Sequence, residues 1–381
     1  MSIVNIIKTS HYDEDDNIFK TDKIFKSDNI FKTDNIFKSD NIFKTDNIFK
    51  TDNTCNIGKK SNHGDNDHDK VVNGYKCEKL LGTGKFGIVY LATKNDKNYV
   101  LKFVKTKYFN TNELDIFKKV SKLCMNKADY VEDFVFQNYT IIVSNYINDS
   151  IDLFDYISCI HNTAFRKKYL ITEIIIQYNI IVITKFLLEQ LICMHDNNIV
   201  HMDIKPENIL LQVNKQFIVT YATFIDFGFS CTKDMFDQSE DGTLCNTSGT
   251  LEYMAPELIN QHSKILMENN TTLFFKPITL RDYKKTDIWS LGVSLFLLIT
   301  NHLPYEIFPY KSIPSQYDNC HSIIYTYKNL PDSDITILHN ISPTIYPMYK
   351  EFYNSMQYLI SKMLKYNSKQ RIDANILLQC L

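Results

Sequence analysis

Between residues 75 and 143 the apolar positions alternate with polar ones. This period of two predicts strands over Tyr75–Leu81, Ile88–Ala92, Tyr99–Val104 and Phe134–Val143. Between the third and fourth the spacing changes and predicts a helix over Asn112–Leu123. From about Ile151 onward the pattern is helical, with long runs at Ile171–Asp196, Asp287–Thr300 and Tyr349–Lys365. The expected class is therefore α+β: a small strand-rich part followed by a larger helical part. Ile171–Met194 is the most apolar stretch, but Glu173, Gln177, Asn179, Lys185 and Glu189 interrupt it. It reads as a core helix rather than a membrane span.

The pattern before residue 75 is different. Residues 17–52 are six copies of a hexapeptide, (Asn/Lys)-Ile-Phe-Lys-(Thr/Ser)-Asp, starting at Asn17, Lys23, Asn29, Asn35, Asn41 and Asn47. A period of six fits neither a helical stripe nor a two-faced strand, and 36 residues are too few to stack into a solenoid with its own core. Residues 1–70 therefore read as a low-complexity, largely disordered tail, with partner binding by the repeats as the other reading. Residues 53–70 are polar. His63, Asp65, Asp67 and His68 could be drawn as a metal site but read as solvated linker.

Composition narrows the function classes. The chain has 381 residues, with 42 Lys plus Arg against 44 Asp plus Glu, for a formal charge of -2. That balance argues against a nucleic-acid binder driven by bulk charge and against a polybasic membrane binder. The nine cysteines include no CxxC pair and predict reduced thiols in an intracellular, cytoplasmic protein. No leader is expected from Met1–Ile7, and Ser2 stands where N-myristoylation needs glycine. The chain ends soon after its last apolar run, so no C-terminal regulatory tail is expected. Glycine is the informative scarcity: the chain has 10, where average usage would give roughly 27.

Those glycines mark the chemistry. Gly82-Thr83-Gly84-Lys85-Phe86-Gly87 is a GxGxxG turn followed by β-branched, strand-like residues. A dinucleotide fold would need a helix there. On a strand–turn–strand, such glycines leave backbone N–H groups open to phosphates. A plain hairpin is the alternative for this motif alone. Lys102 lies inside an apolar strand and needs an anion, for which Glu113 on the next helix is the candidate. Taken alone, Lys102 could equally face solvent.

Further on come His201-Met202-Asp203-Ile204-Lys205-Pro206-Glu207-Asn208, Asp226-Phe227-Gly228, Gly249-Thr250 through Ala255-Pro256-Glu257, Asp287-Ile288-Trp289-Ser290-Leu291-Gly292, and Arg371. With these segments in order, residues 75–381 resemble the eukaryotic-type serine/threonine protein kinase family. Six of the 10 glycines and the single tryptophan fall on them. The resemblance implies a bilobal protein kinase fold, with an N-lobe of about 75–147 and a C-lobe of about 148–381. The implied reaction is transfer of the ATP γ-phosphate to Ser or Thr hydroxyls of a protein substrate.

The same resemblance assigns roles. Asp203 would be the base and Lys205 would steady the γ-phosphate. Lys102, braced by Glu113, would grip the α and β phosphates under Gly82, Thr83, Gly84, Lys85, Phe86 and Gly87. Val89, Val100 and Leu210 would sandwich adenine. Ser144 would be the gatekeeper, Tyr146 would lie in the hinge and Asp152 would reach the ribose. Asn208 and Asp226 would hold Mg²⁺, with Mn²⁺ as the alternative ion. Glu257 and Arg371 would form a structural ion pair, and Thr250 would bond the catalytic loop.

Two departures matter. Met202 replaces the arginine that usually receives the activation-loop phosphate, and Asn246 stands where a phosphothreonine often sits. Together they predict activity that does not depend on phosphorylation of Thr243, Thr247 or Ser248. The span from Glu257 to Asp287 carries an extra stretch around 261–279, read as a surface loop. Glu207 could attract a basic residue in a substrate, but Leu295–Thr300 holds no acid to reinforce it. Two competing classes remain: a pseudokinase, disfavoured by Lys102, Asp203, Asn208 and Asp226, and a small-molecule or lipid kinase, disfavoured by Thr250 and the activation segment.

Overall fold

The computed structural model describes residues 71–84, 87–124, 126–238, 249–259, 280–307, 337–338 and 341–381. The repeats, Lys85, Phe86, Thr243, Asn246, Thr247, Ser248 and the 261–279 stretch lie outside the described residues. The chain forms two compact units. The first comprises 71–109 and 130–146 among the described residues, and the second comprises 110–129 and 147–381.

The first unit is a six-stranded antiparallel sheet. Its strands are β1 (Val71–Val72), β2 (Tyr75–Gly84), β3 (Gly87–Lys94), β4 (Lys97–Lys105), β5 (Tyr130–Phe136) and β6 (Tyr139–Asn145), in spatial order β1-β2-β3-β4-β6-β5. Alternation works as expected: Ile88, Tyr90, Ala92, Leu101, Phe103, Ile141 and Val143 point to one face and form a core. The run expected as one strand over Phe134–Val143 is in fact two. Gln137 takes a left-handed φ of 53° and turns the chain between β5 and β6.

The second unit opens with helix α1 (Thr111–Leu123), capped by the Asn110 side chain on the Asn112 N–H. Strand β7 (Ser150–Asp152) leads into α2 (Leu153–His161) and α3 (Thr163–Lys168), and then into α4 (Glu173–Asp196). Next come β8 (Ile199–Val200), β9 (Ile209–Val213), β10 (Val219–Phe224), β11 (Cys231–Thr232) and α5 (Lys233–Gln238). The remaining helices are α6 (Leu280–Thr300), α7 (Pro304–Ile307), α8 (Lys350–Met363) and α9 (Ala374–Gln379). The expected order of a strand-rich part before a helical part is borne out.

One core unites α1, α2, α4, α6, α8 and α9. Helix α4 is long and apolar enough to cross a membrane, but Ile180, Ile183, Leu187, Leu188 and Leu191 are buried in that core. Helix α6 is buried along nearly its whole length. Ile116 and Val120 of α1 enter this core, so α1 belongs to the second unit although the sequence reading grouped it with the preceding strands. Arg371 is 1% exposed and grips Glu257 with two N–H donors at 2.6 and 2.7 Å, as the sequence implied. It also donates to the carbonyls of Lys365, Lys285 and Tyr366 and lies over the Trp289 ring.

One cysteine expectation is corrected. Cys124, at the C-cap of α1, and Cys193 on α4 are joined in a disulfide, with Cα atoms 5.7 Å apart. Their separation of 69 residues hid the pairing in the sequence. Cys159 and Cys380 are free thiols.

Candidate active site

The site is clearest around Asp203. Strand β8 ends at Val200, and the loop that follows is held from beneath by Asp287 of α6. The Asp287 carboxylate accepts the backbone N–H groups of His201 and Met202, both at 2.9 Å, and Nε2 of His195 at 3.0 Å. Met202 takes a left-handed φ of 70°. A non-glycine residue there is costly and persists only where the surroundings enforce it. The anchors on both sides of Met202 supply that constraint and present Asp203.

The Asp203 carboxylate is 6% exposed and fully engaged. Oδ1 accepts the Thr250 N–H and the Thr250 hydroxyl, both at 2.9 Å. Oδ2 accepts Nδ2 of Asn208 at 2.9 Å and has the Lys205 ammonium at 3.3 Å. Lys205 in turn donates to the Thr250 hydroxyl at 2.8 Å. Asp203, Lys205, Asn208 and Thr250 therefore form one closed network. Gly249 lies close against it: a Cβ there would sit 3.0 Å from the Met202 carbonyl oxygen, a tight approach.

Asp226 is brought to the same place by the β9–β10 hairpin. Ile209 pairs with Phe224, and the Ile225 N–H donates to the Asn208 carbonyl at 2.9 Å. A buried polar set fixes β10: Oε1 of Gln190 accepts the Phe224 N–H and the Thr223 hydroxyl, and Asn126 donates to the Phe224 carbonyl. Asp226 itself has a left-handed φ of 63°. The Ser230 hydroxyl bonds the His201 carbonyl, which closes the circuit back to the loop. Burial holds the His201 imidazole below its ordinary pKa and hence neutral.

Glu113 lies in the first turn of α1 and is buried. A Cβ on Gly228 would lie 3.6 Å from its Oε2 and 3.3 Å from Oδ1 of Asp226, so both carboxylates flank the Asp226-Phe227-Gly228 turn. One helical turn on, Phe117 stacks on Phe227 with ring centroids 5.7 Å apart. Asp152 caps α2, accepting the Asp155 N–H at 2.8 Å, and pairs with Leu210 across β7–β9. Burial pushes its carboxyl up to about 6, and the nearby Asp155 and Glu207 carboxylates push the same way.

The first unit has a surface of its own. Lys102 lies opposite Val89 on β3 and Ile142 on β6, and Val100 lies opposite Leu91 and Ser144. Cross-strand partners share a face, so Val89, Val100, Lys102 and Ser144 stand together on the face opposite the apolar core. Gly82 pairs with Val89, and Thr83 and Gly84 lead into the turn toward Gly87. Gly87 has a φ of 152°, and a Cβ would meet the Phe103 carbonyl oxygen at 2.3 Å. Only glycine fits there. Tyr146 follows β6 and closes the first unit.

The donor chemistry fits a hydrated divalent ion. Nδ2 of Asn208 is spent on Asp203, so its amide oxygen is the group left to offer beside the Asp226 carboxylate. Two hard oxygen ligands, with phosphates and water completing the shell, suit Mg²⁺. Among the described residues no cluster of three His, Cys, Asp or Glu side chains could hold a metal by itself.

The sequence reading missed Asp287 as the floor of the catalytic loop. The available signal was a carboxylate at the head of the charge-free, mostly apolar run Ile288–Ile299.

Comparison with known proteins agrees with this geometry. The protein kinase domain family matches residues 75–380. A serine/threonine-protein kinase of Acanthamoeba polyphaga mimivirus is 30% identical over 247 residues, covering 63% of this chain and 76% of that protein. Calcium-dependent protein kinase 4 of Plasmodium berghei is 28% identical over 315 residues, covering 79% of this chain and 47% of that protein. CBL-interacting protein kinase 2 of Oryza sativa subsp. japonica is 29% identical over 250 residues, covering 62% and 46%. This chain thus spans about half the length of the last two.

Proposed function

The chain belongs to the eukaryotic-type serine/threonine protein kinase family, and on that premise we propose that it transfers the ATP γ-phosphoryl group to Ser and Thr hydroxyls of proteins, with Mg²⁺ as its ion. The observation that carries this reading is the closed network on Asp203. Phosphoryl transfer needs positioning and charge neutralisation rather than covalent chemistry. With Thr250 and Asn208 fixing its carboxylate, Asp203 orients the acceptor hydroxyl and takes its proton. Lys205, 3.3 Å away, supplies positive charge at the transferred group. Asn208 and Asp226 are the ion's ligands. From the first unit, Gly82, Thr83, Gly84 and Gly87 cover the phosphates, Lys102 binds them, and Val89, Val100 and Ser144 receive the base. Lys85, Phe86, Tyr146, Asp152, Glu113 and Leu210 keep the roles given by resemblance. Use of ATP favours an intracellular location.

Activity is proposed to be independent of activation-segment phosphorylation. Met202 is 6% exposed and its thioether takes the Thr286 hydroxyl at 4.0 Å, so an apolar side chain fills the position from which a cation would receive a phosphate. The test is transfer of labelled phosphate from ATP to a generic basic protein. Wild type and a Thr243→Ala, Thr247→Ala, Ser248→Ala variant should label it equally, while Asp203→Ala should lose about 10³-fold. Loss of activity in the triple variant with its fold intact overturns phosphorylation independence. An inactive wild type, or an Asp203→Ala variant as active as wild type, overturns the kinase reading.

A further inference from the structure

The hexapeptides carry a regularity that the catalytic reading leaves unused. Across six copies, Ile, Phe, Lys and Asp never change. The fifth position is Thr in four copies and Ser in two. These two residues differ by a methyl group and share the hydroxyl. The chain therefore presents six hydroxyls, on Thr21, Ser27, Thr33, Ser39, Thr45 and Thr51, each preceded by Lys and followed by Asp.

The surface around Asp203 complements that lysine. Glu207 lies in the turn Pro206–Asn208, whose last residue bonds Asp203. Glu252 lies in the turn Leu251–Tyr253, which opens from Thr250, also bonded to Asp203. Glu207 is exposed and Glu252 half-buried, so both can meet a substrate. Asp152 and Asp155, at the start of α2, extend the acidic rim, and Lys205 is already committed to Asp203 and Thr250. A hydroxyl delivered to Asp203 thus carries its flanking ammonium to a rim of carboxylates.

We propose that the six repeat hydroxyls are phosphoacceptor sites of this kinase itself, delivered to Asp203 with the preceding lysine on the Glu207–Glu252 rim. The proposal rests on the kinase reading and names a substrate for that site. In each event the hydroxyl oxygen bonds the γ-phosphorus, the bond from that phosphorus to the β–γ bridging oxygen breaks, ADP leaves, and the hydroxyl proton passes through the Asp203 carboxylate to solvent. Nineteen residues lie between Thr51 and Val71, a span of up to about 70 Å, and tethering raises the effective acceptor concentration to the order of mM. Residues 17–52 hold seven lysines and six aspartates, a charge of +1. Six phosphoryl groups would bring it to roughly -8 to -11, which converts the tail from near-neutral to strongly acidic.

The experiment incubates the purified full chain with γ-labelled ATP and Mg²⁺, alone and with a generic basic protein, and maps phosphosites by mass spectrometry. The expected sites are Thr21, Ser27, Thr33, Ser39, Thr45 and Thr51, and the Asp203→Ala chain should stay unlabelled. A variant with all six changed to alanine should lose about five-fold or more of its self-labelling while labelling the basic protein as wild type does. A free peptide, Asn-Ile-Phe-Lys-Thr-Asp, should be used about tenfold better than one with glutamate in place of the lysine. Labelling of the basic protein with none on the repeats overturns this proposal and leaves the kinase reading standing. So does wild-type self-labelling by the six-alanine variant, and equal use of the two peptides overturns the rim. A chain that labels neither itself nor the basic protein overturns both.

Discussion

Thr250 is the residue on which the geometry of the site turns. Its hydroxyl donates to Asp203 and accepts from Lys205, so one side chain sets the distance between carboxylate and ammonium. Thr250→Val keeps the shape and removes the hydroxyl. Turnover should fall by about 10- to 100-fold, because the base loses a charge-assisted bond and the lysine its anchor. Thr250→Ser should recover most of the rate, and steady-state assays of the pair check this. Asp152 makes a different prediction. Its carboxyl is held near 6 by burial, against an ordinary 3.8. A raised folded pKa means that the native state binds the proton more tightly, so this group's contribution to stability falls as pH rises from about 4 to 6. Above that window it is flat. Asp152→Asn keeps an amide oxygen for the cap and should abolish that slope in melting temperatures measured from pH 4 to 7. Ser144 supplies a third test. A small side chain on the Val100 row leaves room beside it, so Ser144→Phe should weaken bulky adenine-mimicking inhibitors by about tenfold, read as inhibition constants.

At the scale of elements, helix α6 supports the catalytic loop through Asp287, whose carboxylate satisfies two backbone N–H groups and His195. Asp287→Ala strands these buried donors. It should cost about 3 kcal/mol in denaturant unfolding and lower kcat more than the KM for ATP. Strand alternation, glycine spacing and helix periodicity were legible in the sequence, because each follows from a local period. The Gln137 turn was not, since it rests on one positive φ in a polar pair inside an otherwise continuous strand pattern. Nor was the bond between Cys124 and Cys193, which depends on how α1 lies against α4 rather than on any local signal.

At the scale of the whole molecule, the motifs revealed the site because phosphoryl transfer restricts which residues can stand where, whereas packing tolerates many. Asp203 and Asn208 share the loop between β8 and β9, Thr250 reaches it from a separate segment, and Ile225, next to Asp226, bonds the Asn208 carbonyl. Of the supports beneath them, Asp287 stood in one of the motif segments without its role being read, whereas nothing in the spacing marked Gln190 and Asn126. The proposed acidic rim belongs to the same category: Glu207 was legible as a charge near Asp203, while Glu252 gains meaning only from the bond between Thr250 and Asp203. Asp203 is proposed to act on the acceptor hydroxyl and not in holding the nucleotide. The most direct test compares wild type with Asp203→Asn in two readings on the same preparation, affinity for ATP with Mg²⁺ by calorimetry and the rate of phosphate transfer in a single turnover. Binding should stay within about twofold while transfer drops about 10²- to 10⁴-fold. Transfer that survives the substitution, or binding lost in step with it, would contradict the account.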